Sequence, residues 1–198
     1  MTAFQRHVTC LLLIFGTGSA VAHPLQAQTF ASSPNWWAVG STGIADESAA
    51  SQVSFNGAAV GLRSTAPVNT VAVVRYPVSL VPSLLLWHTY FNQLVAVGLP
   101  RLTLAMSFAK NDDGAYVSAT LKRVRLEDGV ETAMTGVNTL SSVPGTSQQT
   151  LTRTIDCGEA CVNPELYAYY VEVVVWNAYS TSRPQMFTVR VNLLRASS

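Results

Sequence analysis

From residue 115 the chain alternates. Val117, Ala119 and Leu121 fall on one side of an extended strand, and Ser118, Thr120 and Lys122 on the other. That period of two is the pattern of a half-buried β-strand. Val124 and Leu126 then sit on the opposite parity, which predicts a β-bulge near Lys122-Arg123. Asp128-Gly129 supplies a hairpin turn, because glycine accepts the positive φ that such turns need, and Val130 to Val137 returns. A second turn, Asn111-Asp112-Asp113-Gly114, is predicted to join Leu102–Phe108 to the same meander.

Two later stretches carry the strongest pattern. Tyr167 to Trp176 is almost wholly β-branched or aromatic, with Glu172 as its only charge, which predicts a central strand. At a sheet edge the same stretch would instead pair with a second copy or a partner. Phe187, Val189, Val191 and Leu193 alternate with Thr188, Arg190, Asn192 and Leu194, so one face of that strand is expected inside. Gln52–Leu62, Asn69–Tyr76 and Gln149–Ile155 read as further strands. The total is about eight or nine, with hardly any amphipathic helix. The expected fold is all-β: an antiparallel two-sheet β-sandwich, jelly-roll or immunoglobulin-like.

The first 22 residues do not belong to that pattern. Arg6 precedes an apolar run, Val8 to Phe15, and Ser19-Ala20-Val21-Ala22 ends in small residues. This is the design of a secretory signal peptide. The expected organisation is a signal over 1–22, a linker rich in Ala, Ser, Gln and Pro over 23–34, and one β-sandwich domain over 35–198. The expected location is secreted or periplasmic. A second uncharged stretch, residues 77–100, is long enough to cross a bilayer. Pro82, His88, Asn92 and Gln93 would place a breaker and polar groups in hydrocarbon, so a transmembrane helix is not expected. A long crossover packing Leu84 to Leu86 inward is the preferred reading, with any exposed part forming an apolar partner surface.

Charge narrows the partners. Lys and Arg number 12 against 11 Asp and Glu, and without Arg6 the signs balance. A neutral chain has no general attraction for nucleic acid or anionic lipid, so no nucleic-acid partner is expected. Only 12% of residues are charged, and Ser and Thr take over much of the surface role.

Cys10 falls within the signal, which leaves Cys157 and Cys161. In an oxidising compartment the expectation is a disulfide between them. A straight strand would hold their Cα atoms about 13 Å apart, beyond the ~7 Å that a bridge allows, so a turn at Gly158 is required. The rival reading, a metal or redox pair, lacks a neighbouring His or Cys.

Candidate chemistry is sparse. Cleavage after Ala22 would leave His23 at the N-terminus, where its amino group and ring can both bind copper. With His88, the only other histidine of the processed chain, it would make the histidine brace of secreted copper monooxygenases. No cofactor is expected, with copper at this brace as the alternative. Pro24 and the loose linker argue against it, and the plain alternative is a spacer residue at a cut site. No Gly-x-Ser-x-Gly motif follows the signal, and His88 lies among Trp87, Tyr90 and Phe91, which suits a packed aromatic setting. Glu159, Glu165 and Glu172 could serve glycoside hydrolysis but read more simply as loop and strand-face acids. Asp112-Asp113 reads as a turn rather than a calcium loop.

Aromatics offer the remaining chemistry. Trp36, Trp37, Trp87 and Trp176 are candidate ligand contacts, able to stack on sugar rings, with Tyr167, Tyr169 and Tyr170 beside the last. Strand parity sends about half of such residues into the core. Trp36 and Trp37 are adjacent, so one should face in and the other out. The sequence thus leads to a non-enzymatic exported β-sandwich that binds a glycan, a surface component or a protein. The alternative is a copper-brace protein or oxidase.

Overall fold

The computed structural model describes residues 35–79, 101–156 and 162–194, all within the compact unit Ser32–Ser198. Eleven strands run through them. They are β1 (Asn35–Val39), β2 (Ile44–Ala45), β3 (Val53–Asn56), β4 (Ala59–Leu62), β5 (Val71–Val78) and β6 (Arg101–Lys110). Then follow β7 (Ala115–Arg125), β8 (Glu131–Asn138), β9 (Gly145–Asp156), β10 (Tyr167–Asn177) and β11 (Gln185–Leu194). One 3-10 turn, Gly40–Thr42, separates β1 from β2.

The strands form two antiparallel sheets. One runs β3-β4-β11-β6-β9, with β1 also paired to β11, and the other runs β2-β5-β10-β7-β8. Set aside the short β1, β2 and β3. The eight remaining strands, counted from β4, then order as first-eighth-third-sixth and second-seventh-fourth-fifth. That is the jelly-roll arrangement, and it decides between the two sandwich types expected. All but one of the connections between successive members of this set change sheets; only β7–β8 is a hairpin within one sheet.

This topology corrects the reading of residues 111–114. They join β6 in one sheet to β7 in the other, so Leu102–Phe108 is not part of the β7–β8 meander. A turn sequence fixes a reversal of direction and leaves the sheet of the next strand undetermined. Asn111 holds the crossing in place: its side-chain amide donates to the Thr181 carbonyl at 2.8 Å, and its oxygen accepts from the Arg183 amide. Asp112 accepts from the Ser182 hydroxyl at 2.7 Å, consistent with a turn.

Three further details depart from the pattern. Gln52–Leu62 is not one strand but the β3–β4 hairpin, closed at Asn56↔Ala59, with Gly57 at φ +58° in its loop. The bulge expected at Lys122-Arg123 lies on the facing strand. Leu121 pairs with Thr135 and Lys122 with Ala133, so Met134 is the extra residue, while β7 runs unbroken against β10. Val124 is therefore simply on the outward face. In β11 a register shift between Met186 and Thr188 turns Met186 inward and leaves Phe187 half-buried rather than on the core face.

The core between the sheets follows parity elsewhere. Val117, Ala119 and Leu121 of β7 meet Tyr169, Val171, Val173 and Val175 of β10, and Leu102, Leu104, Met106 and Phe108 of β6 close from the other sheet. Tyr76 is fully buried there, and its hydroxyl donates to the Gly40 carbonyl at 2.7 Å. Burial pushes its phenol well above the ordinary value. Strand β10 lies at the sheet centre, paired to β5 and β7 along its length, so strand addition to another chain through it is excluded. Among the described residues, no helix is long and apolar enough to cross a membrane.

Candidate functional site

The two outward sheet faces differ in what parity places on them. On the five-stranded sheet, β10 presents Tyr170, Glu172, Val174 and Trp176, and β7 presents Tyr116, Ser118, Thr120 and Lys122. Trp176 is in register with Tyr116, and their rings meet edge to face, centroids 6.3 Å apart at 69°. Next to Tyr116 a groove of about 350 Å³ follows β8. Gly136 lies opposite Thr120 in its floor; a Cβ there would come within 3.2 Å of the Thr120 hydroxyl. Ser118, Thr120 and Asn138 offer hydroxyl and amide groups along it, and Arg153 reaches it from β9 of the other sheet.

The centre of the same face is an ion-pair network. Glu172 meets Lys122 at 2.8 Å and Arg75 at 3.6 Å; Arg75 also binds Asp46, and Lys122 lies 3.7 Å from Glu131. The hydrogen bond to Glu172 raises the Lys122 ammonium above its ordinary value. The Lys122 ammonium also stands 5.9 Å from the Tyr170 ring. Burial, and then the neighbouring Glu131, raise the Tyr170 phenol. Glu172 is thus held between two cations, which explains this strand-face acid without catalysis.

The outward face of the six-stranded sheet is flatter. Thr150, Thr152 and Thr154 of β9 are in register with Ser107, Ala105 and Thr103 of β6, and these in turn with Thr188, Arg190 and Asn192 of β11. Hydroxyls pair across it, Thr103 with Thr154 at 2.8 Å and Ser107 with Thr150 at 2.9 Å. At its margin, β1 places Trp37 opposite Arg190, 64% exposed, while Trp36 faces Val191 and packs on the core. The in-and-out split expected of this pair is met. Both border a shallow depression of about 400 Å³ with Thr42, Tyr76 and Pro77.

Trp37 and Trp176 therefore lie on different sheets, and the structure does not bring them together. Trp87, His23, His88, Cys157, Cys161 and Glu159 lie outside the described residues, as does most of the uncharged stretch. Among the described residues, no group of three or more His, Cys, Asp or Glu side chains could hold a metal ion. Tyr116, Gly136 and Arg153 escaped the sequence reading. Parity marks Tyr116 as outward, but only the β7–β10 register sets it against Trp176.

No protein-family model matches this chain, and no curated protein sequence does. Among solved structures it is similar to a xylan-binding module CBM15, with 12% identity over 83% of this chain and 99% of that one, at a TM-score of 0.46. It is also similar to the CBM22-1 xylan-binding domain from Paenibacillus barcinonensis Xyn10C, with 8% identity over 81% and 87% of the two chains, TM-score 0.36. A third similarity is to Eiger TNF from S. frugiperda, 12% identical over 51% and 62%, TM-score 0.29. These likenesses carry no argument about function, and unrelated functions share such folds.

Proposed function

We propose that this chain is an exported, non-enzymatic glycan-binding module whose site is the outward face of the five-stranded sheet. The observation that carries the reading is the Tyr116–Trp176 pair standing beside the Gly136-floored groove. A sugar ring has an apolar C–H face and a polar rim. An aromatic ring takes the first, and the hydroxyls and amide of Ser118, Thr120 and Asn138 take the second. The signal-like segment 1–22 and the balanced charge fit a module working outside the cytoplasm. Neither supplies a reaction, and the acids of this face are engaged in ion pairs.

Affinity electrophoresis through gels cast with soluble polysaccharides, neutral and acidic, tests this. At least one should retard the protein, and Tyr116→Ala should remove the retardation while leaving the thermal transition in place. Unretarded migration in every gel, or retardation indifferent to Tyr116→Ala, would overturn the reading.

A further inference from the structure

Arg153 breaks the rule that governs charge on this side of the molecule. It has the inward parity of β9, paired with Leu104 of β6 and flanked by Leu151 and Ile155, which pack against the core. Yet its side chain is exposed and borders the groove along β8. The other cations of the five-stranded face, Arg75 and Lys122, are each matched by two carboxylates. Arg153 is the one charged residue lining the groove, and none of the ion pairs among the described residues includes it. A guanidinium so placed presents a planar fork of donors to whatever enters.

We propose that the groove takes an acidic glycan, a chain of uronic acid residues whose carboxylate pairs with Arg153 while a ring rests against Tyr116. This rests on the glycan-binding reading and specifies its substrate class. A sugar chain lying along the groove meets both the aromatic and the guanidinium, which line it together with Gly136. An uncharged glycan offers the guanidinium only neutral hydroxyl acceptors, whereas a carboxylate gives it a charge-assisted, bidentate pair. The Lys122 and Arg75 cations do not compete for the acid, because Glu172, Asp46 and Glu131 already hold them.

Polygalacturonate and its fully methyl-esterified form separate the cases, since they share a backbone and differ in the carboxylate. Isothermal titration should show the free acid bound about tenfold or more tighter than the ester. That preference should shrink as salt rises from about 0.05 to 0.5 M. Arg153→Gln should erase the preference with an unchanged thermal transition, and Arg153→Lys should keep part of it. Equal binding of acid and ester, or a preference that survives Arg153→Gln, would overturn the acidic assignment alone. Failure of both to bind, together with every neutral polysaccharide, would overturn the glycan reading as well.

Discussion

The outward faces of the two sheets are built on the same pleat and differ in relief. On the six-stranded sheet, Thr, Ser and Ala fill the rows of β9 and β6 beside Thr188, Arg190 and Asn192 of β11. The result is level, with hydroxyls paired between β6 and β9. On the five-stranded sheet, large and small side chains sit side by side. Tyr116, paired with Trp176, stands at one end of a β7 row that continues as Ser118 and Thr120, and Thr120 faces Gly136; the groove lies along that drop in size. A sheet becomes a site where side-chain size changes abruptly along an outward row. Aromatic content alone does not do this: Trp37 is more exposed than Trp176 but stands at the margin of the level face.

The largest effect should come from crossing from a face into the interior. Val173 is fully buried, whereas Val174 belongs to the outward row. Val173→Lys should abolish folding, because an unpaired charge in the core costs as much as the ~5–15 kcal/mol that holds a domain together. Val174→Lys should fold. Circular dichroism and urea unfolding of both would check it, and a folded Val173→Lys would refute the assignment of faces.

The contrast between the two faces sharpens with Trp37→Ala. It should change the affinity of any bound polysaccharide by less than about twofold, where Tyr116→Ala costs about tenfold or more. Equal losses would mean that the level face also binds. Filling the relief is the complementary test. Gly136→Val puts a Cβ 3.2 Å from the Thr120 hydroxyl and 3.3 Å from the Ala119 carbonyl, so those groups must give by a few tenths of an ångström. Binding should fall several-fold, with a stability change within about 1 kcal/mol, since valine favours strands. A Gly136→Val protein that binds normally would show that the groove is not used.

The smallest effect is a dependence on pH. Tyr76, Tyr169, Tyr170 and Lys122 are all raised in the folded protein, the tyrosines by burial first and Lys122 by its bond to Glu172. Each raised group gives stability that is fully present below its unfolded value. That stability is lost as pH climbs through the folded value. Urea midpoints should hold steady through neutrality and fall above about pH 10, where unfolded tyrosine begins to ionise. Tyr76→Phe should flatten part of that decline while costing about 1 kcal/mol for the bond to Gly40. A midpoint that rises between pH 9 and 11 would contradict the assigned directions.

Much of the jelly roll was legible because parity and turn chemistry act locally. The β7–β8 hairpin at Asp128-Gly129 and the central strand β10 both follow from a few neighbouring residues. The missed β3–β4 hairpin was also local: Asn56-Gly57 is a strong turn signal inside an otherwise strand-like run. The sheet switch at 111–114 was not legible, because it depends on which strands pair. The site divides the same way. Trp176 was singled out by residue type. Tyr116 and Trp176 are in register although far apart in sequence, and Arg153 arrives from the opposite sheet. Such meetings are set by long-range pairing, which period-two alternation does not encode.

Strand β11 follows every other described strand in the sequence, yet it occupies the middle of its sheet, bonded to β1, β4 and β6. During synthesis the six-stranded sheet therefore has nothing to close on until that stretch has emerged. β6 and β4 wait with open edges meanwhile, and the chain must be kept from pairing with its neighbours. Contacts spanning most of the sequence also slow the final closure, toward the millisecond-to-second range of β-rich folds.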